Sequence, residues 1–176
     1  MRYALIDTAI GTFGIAWTDT GLARVALPGR DRVNTEMWIS REPAEPGFPD
    51  GLFAALPDRI RRYAEGKVEE FTDIPLDLAG APDFHRQAYA ELVRVGYGHT
   101  TTYGAIARQL GDVSLSRAVG QAMGANPIPL IIPCHRVLGA DGKTGGFSSP
   151  GGVTAKMKLL ALEHAPNPTG QFSFGF

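Results

Sequence analysis

A proline-rich stretch around the only cysteine constrains this chain more than any other feature. Pro127 and Pro129 exclude a continuous helix, because proline has no backbone donor and restricts the residue before it. The apolar residues up to position 132 therefore predict an extended, largely buried segment. That segment leads into Pro133-Cys134-His135-Arg136-Val137, which places an imidazole directly beside the thiol.

This pentapeptide has two interpretations. A cysteine walled by apolar residues is by default a small neutral hydrophobe, and the loss of hydration favours the inert thiol. His135, directly or through a water molecule, can instead accept the proton and make Cys134 a nucleophile. The five residues alone leave a buried structural cysteine and a shielded nucleophile equally open.

Composition narrows the class of protein. With 176 residues and 44% hydrophobic content, the chain can bury a core as one domain or as two small domains packed together. No segment is apolar for long enough to span a bilayer and the amino terminus lacks a signal-peptide core, so we expect a soluble, cytoplasmic protein without a membrane partner. One cysteine excludes an internal disulfide and a cysteine-based zinc site, and the four histidines lack metal spacing. We therefore predict no metal and no cofactor.

Charge is unevenly distributed along the chain. The net charge of −1 argues against a strongly nucleic-acid-seeking protein. Residues 1–80 nevertheless hold 9 basic and 13 acidic side chains, whereas residues 81–176 hold 8 and 5. The basic surplus lies in the half that contains Cys134, which is compatible with DNA contact although the difference is small.

Residues 1–78 are predicted to form a small α/β domain. Short apolar or alternating runs separated by turn formers indicate an antiparallel meander. The runs occupy residues 3–7, 14–18 and 24–27.

The rest of this first half is less regular. Residues 30–51 lose the periodicity and are predicted to be a loop or an irregular crossing. Apolar residues at helical spacing follow over residues 52–63, with Pro57 near the start of the helix. Residues 71–76 are predicted to return as an edge strand. Nothing in this half suggests catalysis.

Residues 79–166 are predicted to form a mainly helical second domain, and residues 167–176 a tail. Helix starts and stops follow from capping residues and glycines. The predicted caps are Asp83, Thr102, Ser114 or Ser116, and Thr154, and the predicted ends are Gly96, Gly111, Gly124 and the region of Glu163.

The two middle helices form the pattern of a helix-turn-helix, because a short glycine-containing connection separates them. The second begins with Arg117 and places Ala118, Gly120 and Ala122 on the face predicted to point outward, which would allow close approach to a groove. An ordinary helical hairpin with tightly packed small residues is the alternative.

A set of motifs then occurs in order between residues 83 and 163. They are Thr102-Tyr103-Gly104, Ser116-Arg117-Ala118-Val119-Gly120, Gly124-Ala125-Asn126-Pro127, Ile132-Pro133-Cys134-His135-Arg136-Val137, and Lys156 with Leu160 and Glu163. Together they resemble the O6-alkylguanine-DNA alkyltransferase family. The resemblance implies a ribonuclease-H-like amino-terminal α/β domain, a helical domain with a helix-turn-helix, and direct-reversal DNA repair.

The resemblance also implies a reaction. The alkyl group of O6-alkylguanine, and as a further substrate O4-alkylthymine, would move once and irreversibly to Cys134 after the base flips out through the minor groove. His135 would deprotonate the thiol and Glu163 would orient the imidazole, as in a cysteine-histidine-carboxylate relay. Tyr103 matches the phenolic donor to guanine N3.

Residues that contact DNA and the base follow from the same motifs. Arg117 would enter the duplex in place of the flipped nucleotide, and the expected DNA contacts further include Ala118, Gly120, Gln121 and Thr102. The expected base pocket consists of Asn126, Val137, Phe147 and Ser148. Asn126 has a turn role as an equal alternative, and Arg136 is interpreted as structural or phosphate-facing. The expected partner is double-stranded DNA carrying O6-alkylguanine, bound by a monomer, with cooperative assembly on DNA as a further option.

The sequence departs from the family pattern at a few positions, and two rival functions are considered beside alkyl transfer. The loop at residues 146–152 is about two residues longer than usual and has Phe147 where tyrosine is frequent, and Tyr89 stands where the family commonly has tryptophan. A non-enzymatic lesion-binding protein of the same fold would lack the cysteine. A cysteine hydrolase using Cys134, His135 and Glu163 would need an oxyanion-hole signature, which the sequence lacks.

Overall fold

We describe a computed structural model of the protein, which covers residues 1–144, 148 and 151–166. The predicted tail at 167–176 and the pocket residue Phe147 lie outside these residues. The chain folds into an α/β first domain and a mainly helical second domain, as predicted. Within the covered residues, no helix is long and apolar enough to cross a membrane.

A four-stranded sheet forms the first domain. Strands β1 (Arg2–Thr8), β2 (Gly11–Trp17) and β3 (Leu22–Ala26) make the predicted antiparallel meander, and the two-residue β4 (Glu45–Pro46) pairs parallel to β1 in the order β3-β2-β1-β4. Helix α2 (Leu56–Ala64) packs against β1, with Pro57 in its first turn as expected.

The predicted loop at residues 30–51 is wrong, because it contains helix α1 (Arg32–Ile39) as well as β4. Asp31 caps α1 by accepting a hydrogen bond from the Asn34 backbone at 2.7 Å. Only Thr35 and Ile39 of this helix are buried, so its apolar stripe is too short to show as periodicity. The helix crosses β2 at Gly14, where a Cβ atom would lie 2.9 Å from the Ile39 side chain.

The predicted edge strand at residues 71–76 is also wrong. Only an isolated bridge forms, between Leu22 and Leu76. Leu22 donates to the Pro75 carbonyl at 2.8 Å and accepts from the Asp77 amide at 2.9 Å, and Pro75 has no donor with which to extend a ladder.

Among the residues that the structure describes, the second domain contains four α-helices and a short parallel ladder. Helices α3 (Asp83–Val93), α4 (Tyr103–Gln109), α5 (Ser116–Gly124) and α6 (Gly152–Leu162) are joined by loops. Strand β5 (Thr101–Thr102) pairs with β6 (Val137–Leu138), which fixes the start of α4 beside the chain that follows Cys134.

Several predicted helix boundaries need correction. Thr102 caps α4 as predicted, by accepting from the Ala105 amide at 3.1 Å. Asp83 is instead the first residue of α3, after Pro82, and this helix ends before Gly96.

Neither Ser114 nor Ser116 caps α5, because a 3₁₀ turn capped by Asp112 precedes that helix. Thr154 lies inside α6, which follows Gly151 in the left-handed conformation (φ 83°).

One continuous core joins the two domains. It contains Trp17 and Tyr63 from the first domain as well as Ile132 and Cys134 from the second. The amide of Val25 in β3 donates to the Pro127 carbonyl at 3.0 Å, so the first domain holds the proline-rich segment directly. Burial of this shared surface positions the segment that carries the cysteine.

Candidate active site

The proline-rich segment forms a tight, buried path to Cys134. The Ile132 amide donates to the Ile128 carbonyl at 2.9 Å, and the Cys134 amide donates to the Ile132 carbonyl at 2.8 Å. Leu130 is held at φ 78°, a conformation that side chains other than glycine rarely adopt. Cys134 then opens a 3₁₀ turn to Arg136 and is 4% exposed.

Asn126 connects this path to the sulfur. Its Nδ2 atom donates to Cys134 Sγ at 3.1 Å and to the Ile132 carbonyl at 2.8 Å. Its Oδ1 atom accepts from the Ile128 amide at 3.0 Å, which closes the turn after α5. The turn role predicted for Asn126 is therefore present, and the same side chain also contacts the thiol.

Burial raises the pKa of the Cys134 thiol to about 11, although the Asn126 amide and the charge of Lys156 favour the thiolate. At neutral pH only about one molecule in ten thousand would carry the thiolate. The resting group is therefore a thiol, and nucleophilic attack requires a base that removes its proton.

His135 is the adjacent base. Its ring is fully buried, and Nε2 lies 2.7 Å from Glu163 Oε1. Burial lowers the pKa of His135, with Glu163 opposing the shift and Arg136 and Lys156 adding to it. Within the covered residues no group bonds to Nδ1. A neutral imidazole whose Nε2 proton is donated to Glu163 presents Nδ1 as an acceptor.

Glu163, at the end of α6, is a buried carboxylate surrounded by donors. Arg136 donates from Nε to Oε2 at 2.9 Å and from Nη2 to Oε1 at 3.0 Å. Burial alone would raise the pKa of this carboxyl, but the bonds from His135 and Arg136 outweigh it and hold the pKa at about 2. Glu163 is therefore ionised at neutral pH.

Arg136 has a structural position. It is 4% exposed, and besides Glu163 it donates from Nη1 to the Val95 carbonyl at 2.5 Å. The structural interpretation of Arg136 is confirmed and the phosphate-facing one is wrong, because a guanidinium enclosed in this way cannot reach a DNA backbone.

Two further donors to Glu163 were missed in the sequence. The hydroxyl of Tyr63, on α2 of the first domain, donates to Oε1 at 2.7 Å across a sequence separation of 100 residues. The Gly98 amide donates to Oε2 at 3.3 Å. Gly98 has φ 74°, and a Cβ atom there would lie 3.1 Å from the Glu163 carbonyl oxygen, so glycine is required. No sequence motif near Tyr63 indicates a functional role, and its spacing is that of an ordinary core residue in an amphipathic helix.

Lys156 is a second buried charge near the sulfur. It is fully buried on α6, and its Nζ atom donates to the Val137 carbonyl at 2.5 Å. Burial lowers its pKa to about 8, while the nearby Cys134 opposes this shift. Its position within the apolar stripe of α6 was the available sequence signal, since a lysine is uncommon on the buried face of a helix.

Two tyrosines flank the thiol from the helical side. Tyr103 begins α4, and a Cβ atom on Gly120 of α5 would lie 3.9 Å from its ring. Burial and the proximity of Cys134 raise the pKa of Tyr103. Tyr89 on α3 donates to the Ala122 carbonyl at 2.8 Å, and burial with Cys134 raises its pKa to about 12. The sequence had marked Tyr89 only as a departure from the family pattern.

Helix α5 presents a mixed surface. Arg117 and Gln121 are exposed, and Ala118 and Gly120 are partly exposed. Ala122 was predicted on the outward face, which is wrong, because it is fully buried between α5 and α3. The exposed strip therefore runs along Arg117, Gly120 and Gln121, beside Tyr103.

The other residues predicted to contact the base or the DNA have varied positions in the structure. Val137 is buried, and its carbonyl accepts from Lys156. Ser148 is exposed and donates to the Gly124 carbonyl at the end of α5 at 2.5 Å. Thr102 uses its hydroxyl as the cap of α4. In the covered ranges 1–144, 148 and 151–166, no group of three or more histidine, cysteine or acidic residues could hold a metal ion.

Comparison with known proteins identifies the family to which this chain and its site belong. The profile described as 6-O-methylguanine DNA methyltransferase, ribonuclease-like domain, matches residues 1–78, and the one described as its DNA binding domain matches residues 83–165. A methylated-DNA--protein-cysteine methyltransferase of Mycolicibacterium paratuberculosis is 40% identical over 155 residues, covering 85% of this chain and 92% of that protein. The chain belongs to the 6-O-methylguanine DNA methyltransferase family.

Other members of this methyltransferase family agree in sequence and fold. The methylated-DNA--protein-cysteine methyltransferase of Methanosarcina acetivorans is 34% identical over 93% of this chain and 98% of its own. The crystal structure of Mycobacterium tuberculosis OGT in complex with DNA superposes with a TM-score of 0.76 at 35% identity, covering 98% of this chain and all of that one. The resemblance inferred from the motifs, the fold class and membership of a methyltransferase family are thereby confirmed.

Proposed function

We propose that this protein repairs DNA by direct reversal, transferring the alkyl group of O6-alkylguanine in duplex DNA to Cys134 in a single, irreversible turnover. The observation that carries the proposal is a buried thiol, which accepts a hydrogen bond from Asn126 and is followed directly by His135. The imidazole of His135 is in turn hydrogen-bonded to the ionised carboxylate of Glu163. The names of its relatives, methylated-DNA--protein-cysteine methyltransferases, support the same chemistry.

The base has to leave the helix for this reaction, because the stack of a duplex hides the O6-alkyl carbon. We propose that α4 and α5 act as a helix-turn-helix, with α5 in the minor groove. Gly120 and Ala118 would allow close approach, and the exposed Gln121 and Arg117 would contact the duplex. Arg117 would fill the space of the flipped base. Thr102 fixes the start of α4 and would lie near the DNA backbone.

Activation of the thiol would proceed through His135. The Sγ proton moves, through a bridging water, to Nδ1, while Glu163 accepts the Nε2 proton in a hydrogen bond and stabilises the imidazolium. The Asn126 amide and the Lys156 charge stabilise the thiolate that remains, in agreement with their effect on the pKa of Cys134. Because these groups are buried, solvent screens their interactions less than it would at the surface.

The transfer itself is an in-line displacement at the alkyl carbon. A carbon–sulfur bond forms, the carbon–O6 bond breaks, and its electron pair remains on the guanine. Tyr103 would supply a proton to guanine N3, so that the leaving group departs neutral. The proton taken up by His135 replaces the one lost by Tyr103, and the products are guanine and a thioether on Cys134.

The pocket would be completed by residues around the thiol. We propose that Asn126, Val137 and Ser148 line it, and that Phe147 belongs to it as well. The predicted activity on O4-alkylthymine depends on the same pocket and stays part of the proposal.

A labelled duplex distinguishes this function from its rivals. After incubation with DNA carrying an isotopically labelled O6-methylguanine, mass spectrometry of the digested protein should find the label on the Cys134 peptide, and the DNA should contain guanine. Binding without transfer would indicate a lesion-binding protein, and release of labelled methanol would indicate a hydrolase. Either result would overturn the proposal.

A further inference from the structure

We propose that Tyr63, a residue of the first domain, is a positioning residue for alkyl transfer that acts through Glu163. The inference rests on the function proposed above for Cys134 and His135. It assigns to the α/β domain, in which the sequence shows no sign of catalysis, a direct part in the chemistry.

The hydroxyl of Tyr63 donates to Glu163 Oε1, the same oxygen that contacts His135. Glu163 Oε1 accepts from Tyr63 at 2.7 Å and lies 2.7 Å from His135 Nε2, and it also accepts from Arg136 Nη2 at 3.0 Å. The three donors share one oxygen, so the strength of each bond depends on the other two.

The tyrosine ring has little freedom to move. Tyr63 is fully buried, and its ring packs edge-on against Tyr97 with centroids 6.0 Å apart and tilted against Phe71 with centroids 6.1 Å apart. Helix α2 is itself fixed by the buried Leu56 and Ile60. A hydroxyl held this firmly fixes the carboxylate, and the carboxylate in turn fixes the imidazole plane.

The shared oxygen gives Tyr63 an electrostatic effect as well. A hydroxyl that donates to Oε1 takes up part of the negative charge that would otherwise stabilise the imidazolium. Removal of the hydroxyl should therefore make His135 easier to protonate. The other charged groups that face His135 are Arg136 on its own turn and Lys156 on α6, and neither is altered by a change at Tyr63.

Tyr97 provides a matched control. Its ring touches that of Tyr63, but its hydroxyl donates to the Leu162 carbonyl at 2.9 Å and the Gly66 carbonyl at 3.2 Å. Loss of either hydroxyl removes a buried hydrogen bond, so both variants should lose stability. Only the loss at Tyr63 should change the titration of His135.

The test compares the pH dependence of alkyl transfer in wild type, Tyr63→Phe and Tyr97→Phe, with free O6-benzylguanine as the alkyl donor and adduct formation on Cys134 as the readout. The rate should fall on the acid side as His135 becomes protonated. In Tyr63→Phe this fall should begin roughly 0.5–1 pH unit higher. On the acid side of the curve, the rate of the variant should therefore be about three- to tenfold lower than that of wild type at the same pH. The plateau rate at higher pH should be within about twofold of wild type. Tyr97→Phe should follow the wild-type curve.

A second variant covers the case in which Tyr63→Phe does not fold. Site-specific 3,5-difluorotyrosine at position 63 keeps the ring and strengthens the donor, so the acid-side fall should move to lower pH. Coincident curves for all proteins, or a wild-type rate with no acid-side fall, would overturn the role of Tyr63. Failure of the wild type to transfer any benzyl group would instead overturn the proposed function.

Discussion

Two groups of charged side chains, one from each half of the molecule, lie in opposite surroundings. In the first domain, Arg32 pairs with Asp7 at 2.6 Å while their side chains are 53% and 71% exposed. In the second domain, His135 and Arg136 meet Glu163 at 2.7 and 2.9 Å with side chains at most 5% exposed. Similar distances thus occur in water in the first group and in the protein interior in the second.

The difference shows what each set of charges is for. An exposed pair is screened by solvent and contributes little to stability. A buried group loses its hydration, so the cluster around Glu163 is stable only because donors satisfy the carboxylate. Its main consequence is chemical, since the cluster fixes the protonation of His135 beside a thiol whose pKa burial raises to about 11.

Glu163→Gln should have the largest effect. The change leaves Arg136 as a buried charge without its counter-ion and removes the negative charge that stabilises the His135 imidazolium. We expect a loss of about 3 kcal/mol in the free energy of unfolding and a transfer rate lower by about 100-fold. Urea denaturation and single-turnover kinetics measure the two quantities. A variant with wild-type stability and rate would show that the buried cluster is no more important than an exposed pair.

The pH dependence of the free energy of unfolding should reveal the ionisation of Glu163. Its folded pKa of about 2 lies below its usual 4.5, so the unfolded chain binds the proton more readily between these values. The stabilisation is complete above about pH 4.5 and is lost as the pH falls toward 2, with a total on the order of 3 kcal/mol. In urea denaturation, the difference between wild type and Glu163→Gln should therefore shrink with acidification. A constant difference would contradict the buried, ionised carboxylate.

Arg117→Ala tests an exposed charge that should matter only when DNA is present. Repair of O6-methylguanine in duplex DNA should slow about tenfold, equivalent to about 1.4 kcal/mol. The reaction with free O6-benzylguanine should be unchanged, because that base needs no flipping. Gln121→Ala, on the same face of α5, serves as a control for general loss of DNA contact. Equal losses on both substrates with Arg117→Ala would remove its role in the duplex.

Asp7→Asn should have the smallest effect. It removes the charge that pairs with Arg32 while leaving an oxygen that can accept from Thr12, and the free energy of unfolding should change by less than about 1 kcal/mol, with transfer unaffected. Thermal and urea denaturation at low and high salt provide the measurement. A loss as large as that in Glu163→Gln would erase the contrast between the two halves.

Local chemistry made much of the second domain predictable. The prolines at 127 and 129 mark the end of helix, and the adjacent thiol and imidazole belong to one turn. The family motifs named Glu163 as their partner, and the structure brings these residues together. Thr102 as a cap was also evident, because capping depends on neighbours within one turn.

What could not be predicted depends on tertiary contact. Helix α1 buries only two residues, too few to leave a periodic signal. Tyr63 has no neighbour in sequence that hints at a carboxylate 100 residues away. The burial of Ala122 follows from how α5 packs on α3, which a helical repeat of small residues leaves undecided.

We propose that Cys134 is a buried acceptor that reacts once. The number of methyl groups on the protein tests this most directly, counted by intact-protein mass spectrometry after incubation with a large molar excess of duplex DNA containing O6-methylguanine. We expect a plateau at one methyl group per protein, with Cys134→Ala accepting none and further DNA left unrepaired. Repair that continues beyond one lesion per protein, or a methylated protein in which Cys134 is unmodified, would rule out a single-use acceptor at this cysteine.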